Sequence, residues 1–380
     1  MLILEGLFII FTTYIFIKSL KRILRANSQS IADYIVVAVY ILNALPVALD
    51  LIVGVPRYQR YFYGFTRAQA NNEVRLLYDL YILTILAVLG YYAKSPEKPN
   101  QKAWPRQDSR LFANMIFILL PFLHILFSPY LLKYLTIYGQ AAQRGAPEEF
   151  VNLNAAFCLI SILAFCQKFF LRQGKKYEYL ILLLYSFAII WVNGKRNIVL
   201  ILAMFFLYYY SNTDWRQNHK LNLKWTGAIF VIFLLIYSTN YLVGTKGVVF
   251  NANYNAYAAF RIDFGRDDVT KFVIDQETFQ HDPIQEYRLE GLLNLVSMLI
   301  PRTVWPEKPY PHYRYLTAKL TGGNPATLNF GMTPSITEQA IADLGNLGYP
   351  ACIIFLLLCC RFADKHNDVL KKSLLLILIL

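Results

Sequence analysis

Three short segments in the second half of the chain carry clustered cations. Lys195 and Arg196 form part of a tight Val-Asn-Gly-Lys-Arg-Asn turn, and a later stretch reads Arg-Ile-Asp-Phe-Gly-Arg-Asp-Asp from Arg261 onward. Arg302 lies in a third segment, between two prolines. A diphosphate held in a dry, membrane-level pocket needs two or three cations, preferably arginines, whose planar fork matches phosphate oxygens. The residues predicted to bind a diphosphate are Lys195, Arg196, Arg261 and Arg302.

Aromatic side chains and carboxylates alternate in the same part of the chain. Trp305 and Tyr310 follow the third basic segment, and Asp263 lies within the second. A sugar-binding cleft uses flat aromatic faces against the apolar side of a sugar ring and carboxylates for its hydroxyls. We therefore expect Trp305, Tyr310 and Asp263 to contact sugar.

Simpler explanations exist for each cluster. Lys195 and Arg196 would equally suit a plain turn whose long side chains extend to the interface. The 261–268 stretch would also suit a solvated, salt-bridged surface. Acidic residues inside apolar blocks are candidates for function by default, yet Asp50 and Asp79 would serve equally well as structural partners of an arginine.

The elements that must position these residues follow from composition. Apolar residues make up 56% of the 380, and they come in blocks of roughly 20, the length that crosses a bilayer as a helix. A backbone in lipid must satisfy its own hydrogen bonds, so these blocks predict helices. A net charge of +13 would suggest nucleic acid in a soluble protein, but here basic loops that orient membrane helices explain it without nucleic acid as a partner.

We predict an all-α, polytopic bundle of about ten spans in the lipid bilayer, with one large outer loop region. Lysines and arginines concentrate in alternate loops, which places the N-terminus and the 244–345 loop outside the cytoplasm. The 54–75 loop is an exception, because it carries four arginines on the predicted outer side. The predicted regions are 1–243 with eight spans, the 244–345 extracytoplasmic loop, and 346–380 with a ninth span and a partial tenth. The predicted spans are 2–20, 31–53, 76–93, 111–132, 151–170, 178–193, 197–210, 225–243 and 346–360, with a stub from 373.

Within the outer loop, the apolar segment from Gly291 to Pro301 is too short to span a bilayer. It predicts an interfacial or re-entrant helix that ends at Pro301. Trp305 and Tyr310 would then lie at headgroup level, where amphipathic rings concentrate.

Two sequence runs resemble a known family. The run Ile300-Pro-Arg-Thr-Val-Trp-Pro-Glu-Lys-Pro309 and the run Thr333-Pro-Ser-Ile-Thr-Glu-Gln-Ala-Ile-Ala-Asp-Leu-Gly-Asn-Leu-Gly348 look like signatures of the Wzy-type O-antigen and capsule repeat-unit polymerases. The Gly194-Lys195-Arg196 turn resembles a Gly-Ser-Arg-like element of that family, and it departs from the pattern by carrying Lys195 where a small residue is usual.

The resemblance implies a membrane glycosyltransferase related to O-antigen ligases and C-type membrane glycosyltransferases. Such enzymes act on the outer face of the bacterial cytoplasmic membrane and take a glycan linked to undecaprenyl diphosphate as substrate. They transfer it to the next lipid-linked repeat unit with no cofactor and no metal. A chain-length regulator and a flippase are the implied partners.

The resemblance also assigns roles to individual residues. Arg196 matches the arginine of the turn, and Arg261 resembles an outer-loop arginine of the ligases. The acceptor hydroxyl must lose a proton, so a base within hydrogen-bond reach would help. Glu338 and His312 are the two catalytic candidates, although a lone histidine is more often structural.

Two other functions stay open at the level of sequence. An O-antigen ligase would hand the same lipid-linked glycan to lipid A core or to a protein. A lipid-linked glycan flippase or other transporter would place polar residues near the middle of the bilayer, often in inverted repeats. The outer position of the charges favours an enzyme over a transporter.

Overall fold

The computed structural model describes residues 1–24, 30–56, 58, 62–94, 111–136, 146–170, 178–194, 197–212, 256–297, 300, 304–328 and 331–365. This part of the chain is helical and contains no strand, which confirms the all-α prediction for the described residues. The helices, in chain order, are α1 (Leu2–Leu24), α2 (Ala32–Val53), α3 (Tyr63–Ala70), α4 (Asn72–Tyr92), α5 (Leu111–Leu126), α6 (Leu131–Thr136), α7 (Glu148–Phe170), α8 (Glu178–Asn193), α9 (Asn197–Asn212), α10 (Ala256–Phe264), α11 (Asp267–Ile274), α12 (Glu290–Ser297), α13 (His312–Thr321), α14 (Ile336–Leu344) and α15 (Gly348–Lys365).

Five helical stretches of the described chain are long and apolar enough to cross a membrane. They are Leu2–Leu24, Ala32–Val53, Asn72–Tyr92, Phe150–Phe169 and Ile336–Lys365, the last of which joins α14 and α15. α5 and α8 contain shorter apolar stretches. The count of about ten spans is not confirmed, and the predicted spans at 225–243 and beyond 373 lie outside the described residues.

One predicted span ends earlier than expected. The 111–132 block breaks after Leu126 into a turn, and α6 begins only at Leu131. Pro129 lies in this turn, and proline disfavours helical geometry in the residue before it. Apolar composition alone does not show such a break.

α1 presents large apolar side chains outward along much of its length. Ile3 and Ile10 are exposed, and only 22% of the most apolar stretch of 18 residues in α1 is buried. A helix that is apolar on all sides suits a lipid environment rather than water. α1 packs on α2 and α4, while α5, α7, α8 and α9 form a second packed group that contacts the first through α9.

Ion pairs define the two ends of the first group of helices. At one end Glu5 of α1 pairs with Arg75 of α4. At the opposite end Arg22 of α1 pairs with Asp33 of α2. α1 and α4 therefore run parallel, as the alternating topology requires. Two of the four arginines of the exceptional 54–75 loop are explained by such pairs. Arg75 pairs with Glu5 and Arg67 pairs with Asp275, so a carboxylate offsets each positive charge.

A π-helical turn over Tyr40–Ala44 interrupts α2, and helical geometry resumes at Leu45 with Pro46 in its first turn. In an unbroken helix the carbonyl of Leu42 would accept from residue 46, but proline has no N–H to donate. That carbonyl instead accepts from the backbone N–H of Arg266 at 2.9 Å. The irregular turn thus ties the membrane helix to the segment that precedes α11.

The 256–347 region folds onto the end of the bundle that holds Glu5 and Arg75. α11 packs against α3, α4 and α14, and a second π-helical turn, Asp275–Phe279, extends it. The segment predicted to form an interfacial or re-entrant helix is helical as α12, which exposes Leu292, Leu295 and Val296; its position relative to the membrane stays a prediction. Its described part runs from Glu290 to Ser297, and the predicted end at Pro301 lies outside the described residues.

Candidate functional site

Arg261 lies at the centre of a buried ion-pair cluster. Its side chain is 1% exposed, and its Nε and Nη2 atoms each lie 2.9 Å from an oxygen of Asp50. Its Nη1 and Nη2 atoms donate to Asp267 at 2.6 and 2.7 Å, and Nη2 lies 3.2 Å from Asp268. The predicted alternative of a salt-bridged surface is therefore right about the pairing, but the cluster is buried rather than solvated.

Further polar groups complete the cluster. Lys271 donates to Asp267 at 2.9 Å, one helical turn along α11. Tyr58 and Gln69 both donate to Asp268, and Tyr257 donates to Asp50 at 2.6 Å. The carboxylates are thus held in place by hydrogen bonds from four separate parts of the chain.

A glycine makes room for this arrangement. A Cβ atom at Gly265 would lie 2.1 Å from Nη1 of Arg261. The backbone N–H of Gly265 donates to the carbonyl oxygen of Arg261 at 2.8 Å, just beyond the end of α10. A side chain at this position would displace the guanidinium from its partners.

The charges of the cluster shift the pKa values of its members. Burial raises the pKa of Asp268, and the neighbouring charge of Asp267 raises it further. Burial also opposes ionisation of Asp267, but Arg261 and Lys271 outweigh it and lower the pKa of that carboxyl. Three carboxylates face two cations, so protonation of Asp268 would leave the cluster neutral.

The diphosphate role predicted for Arg261 stays a prediction, and this geometry gives the residue a competing structural role. Each guanidinium nitrogen already contacts a carboxylate. A diphosphate would have to displace these partners within a buried site. The alternative that Asp50 is a structural partner of an outer arginine agrees with the contact. Asp79 carries a buried Oδ2 without a hydrogen-bond partner among the described residues.

Glu338 has a local structural explanation. It is fully buried, and its carboxylate accepts from the backbone N–H and the hydroxyl of Ser335. This reciprocal capping box satisfies the first N–H groups of α14. The catalytic role predicted for Glu338 remains a prediction, because a cap accounts for the carboxylate without any substrate.

His312 is the first residue of α13 and is 4% exposed. Its Nδ1 lies 3.2 Å from Nε2 of Gln285, and its Nε2 has no hydrogen-bond partner within the described chain. Burial lowers its pKa to about 4, so the ring is neutral near pH 7. A neutral imidazole can accept a proton, but at this pKa it is a weak base.

The aromatic candidates differ in position. Tyr310 is half-buried, with its ring 6.2 Å from that of Tyr315 and the guanidinium carbon of Arg314 5.4 Å from its centroid. Trp305 is also half-buried and lies in the turn closed by the Lys308 N–H. Lys195, Arg196 and Arg302 lie outside the described residues. Asp263 belongs to α10, with its side chain outside the described part.

A cavity of about 740 Å³ opens in this region. α3, α11, the 282–286 turn and α13 all contribute to its wall. Tyr315 and Gln285 line it, and they contact Tyr310 and His312, respectively. Trp305, Arg261 and Glu338 are not among the lining residues.

Sequence reasoning missed the residues that line this cavity. Gln276 and Gln285 are glutamines in a π-helical turn and an irregular turn, and neither carries a sequence motif. By contrast, the spacing of Asp267 and Lys271 is the four-residue spacing of a helical ion pair and is readable from sequence. The described residues contain no group of three or more side chains suited to hold a metal ion.

Comparisons with known protein families, with curated proteins and with solved structures find no match to this chain.

Proposed function

We propose that this protein is a membrane glycosyltransferase that joins lipid-diphosphate-linked oligosaccharide repeat units into a polymer on the outer face of the bacterial cytoplasmic membrane. The sequence resemblance at 300–309 and 333–348 suggests the reaction. The observation that carries the proposal is the cavity of about 740 Å³ at the Glu5–Arg75 end of the bundle. Its size lies within the range of about 300–1,000 Å³ that is typical of small-molecule sites.

The proposed reaction forms one glycosidic bond and breaks one sugar–phosphate bond. A hydroxyl of the acceptor sugar attacks the anomeric carbon of the donor, the bond from that carbon to the diphosphate breaks, and the diphosphate leaves with the bonding pair. The hydroxyl proton passes to a base, for which Glu338 and His312 are the candidates. Lys195, Arg196 and Arg302 are the proposed cations for the departing diphosphate; the planar forks of the two arginines suit its oxygens, and Lys195 adds a point charge.

The experiment is deletion of the gene followed by a glycan ladder gel. Loss of every rung above one repeat unit supports a polymerase, and wild-type protein should restore the ladder while Arg196→Ala should not. Losing one charge-assisted contact to developing charge typically costs a factor of about 10²–10³ in rate. Arg361→Ala is the matched control, because it removes an exposed arginine of α15 that belongs to neither motif.

Other ladder patterns contradict the proposal. Loss of the whole ladder with accumulation of lipid-linked polymer indicates a ligase. An unchanged ladder in the deletion strain indicates that the protein does not act on this glycan.

A further inference from the structure

The wall of the cavity contains two buried amide side chains with unsatisfied atoms. Gln276 is 5% exposed and Gln285 is 3% exposed. Nε2 of Gln276 and Oε1 of Gln285 have no hydrogen-bond partner among the described residues. Such groups are rarely left unpaired, because each costs about 1–3 kcal/mol. Both glutamines line the cavity, so its wall contains one unpaired donor and one unpaired acceptor, each of which would need only a side-chain rotation to face a ligand.

His312 explains which atom of Gln285 is free. The neutral ring accepts at Nδ1 from Nε2 of Gln285, 3.2 Å away. This contact fixes the amide plane and leaves Oε1 as the unpartnered acceptor.

The two cations of the described wall are already paired with carboxylates. Arg67 pairs with Asp275 at 2.8 Å, and Lys319 pairs with Asp282. Glu286 adds one more carboxylate to the lining. The described lining therefore offers no surplus positive charge to a phosphate or a carboxylate, which distinguishes it from the predicted diphosphate site.

Aromatic rings and small residues shape the cavity. Tyr63 is 67% exposed, and Phe272 and Tyr315 form buried parts of the wall. A Cβ atom at Gly64 would lie 2.6 Å from the ring of Phe272. Glycine at this position lets α3 approach α11 closely and places the exposed Tyr63 ring beside the buried wall.

We propose that this cavity binds one uncharged sugar unit, with Gln276 and Gln285 hydrogen-bonded to its hydroxyl or acetamido groups and Tyr63 against its apolar face. A hydroxyl both donates and accepts, so it pairs with either free amide atom. The inference rests on the proposed function, which supplies a glycan at this end of the bundle. It goes further by assigning the sugar and the diphosphate to separate places.

The test is saturation-transfer NMR on the purified full-length protein in detergent, with N-acetylglucosamine, galactose and glucuronate as probes. The two neutral sugars should receive saturation and glucuronate should not. Gln276→Leu and Gln285→Leu should each weaken binding of the neutral sugars about tenfold, the usual result of losing a hydrogen bond of ordinary strength. Gln280→Leu is the control, since it makes the same change at an exposed glutamine that directly follows the Asp275–Phe279 turn and lies outside the lining.

Thermal unfolding provides a second readout. Gln276→Leu should melt at or above the wild-type temperature without sugar, because it removes an unsatisfied buried amide atom. Gln285→Leu should melt lower, because it also leaves Nδ1 of the buried His312 without its donor. Loss of binding in a protein that folds normally thus supports the inference.

The inference is overturned if neutral sugars receive no saturation, if glucuronate binds as well as they do, or if both variants bind as wild type does. Absent sugar binding beside an intact glycan ladder removes this inference alone. Normal sugar binding beside an unchanged ladder in the deletion strain supports the cavity assignment and removes only the polymerase.

Discussion

Replacing Arg261 distinguishes a structural role from a role in substrate binding. Arg261→Met keeps much of the side-chain volume but removes the charge. It leaves Asp50, Asp267 and Asp268 buried, with Lys271 as the remaining cation of the cluster. Breaking a buried ion pair by removing one partner costs about 3–5 kcal/mol. We expect a loss in this range, because Arg261 contacts all three carboxylates.

Such a loss is large against an ordinary unfolding free energy of roughly 5–15 kcal/mol. It corresponds to roughly a thousandfold change in the ratio of folded to unfolded protein. Arg261→Met should therefore lower both the yield of detergent-purified protein and its melting temperature. The control is Arg361→Met, because it makes the same change at an exposed arginine of α15 that lies outside the buried ion-pair cluster.

A second substitution tests whether unpaired charge is the cause. Asp267→Asn removes one of the stranded carboxylates, so the double variant with Arg261→Met should recover part of the lost stability. The reasoning is refuted if Arg261→Met has the yield and melting temperature of the wild type. If that variant also loses its glycan polymer, Arg261 serves the substrate, as the family resemblance implies.

Three further predictions follow from single side chains. The pKa of His312 falls from an ordinary value near 6.5 to about 4, so the unfolded chain takes up the proton first. The stability that the neutral ring contributes, up to ~3 kcal/mol, is complete above pH ~6.5 and is lost as the pH falls toward 4. His312→Gln should therefore weaken the dependence of the melting temperature on pH between about 4 and 6.5, and an unchanged dependence would contradict the lowered pKa. Gly348→Ala should lower the melting temperature, because its Cβ would lie 2.2 Å from a backbone carbonyl oxygen of α14, whereas Gly6→Ala, with open space around it, should not. A cysteine at the exposed Thr327 should react with an impermeant thiol reagent in intact cells and one at Lys365 only after lysis; the reverse pattern would invert the topology.

The helices of the bundle were predictable because lipid demands continuous apolar helices, whatever their neighbours. The relative direction of α1 and α4 was also predictable, since charge alternates along the chain, and the Glu5–Arg75 pair agrees with it. The early end of α5 was not predicted, because a proline turn inside an apolar block leaves the average hydropathy high. Boundaries of this kind depend on local backbone geometry.

The arrangement of the candidate site was much less predictable. The partner of Arg261 in α2, Asp50, lies 211 positions away in sequence, and no local pattern specifies that contact. Gln276 and Gln285 carry no sequence signal. What marks them is one unpaired amide atom on each side chain, which only the folded structure shows. Tyr310 and His312 both contact residues that line the cavity, and the roles predicted for them stay predictions.

The interrupted α2 also bears on how this protein could be engineered or could exchange parts with others. The carbonyl of Leu42 supplies an acceptor for the backbone of Arg266, and Asp50 supplies a counter-charge for Arg261. An excised 256–347 fragment would lack both groups, so it would not be a self-sufficient soluble unit. A chimaera that exchanges this region should therefore bring its own version of α2, including the proline that frees the carbonyl.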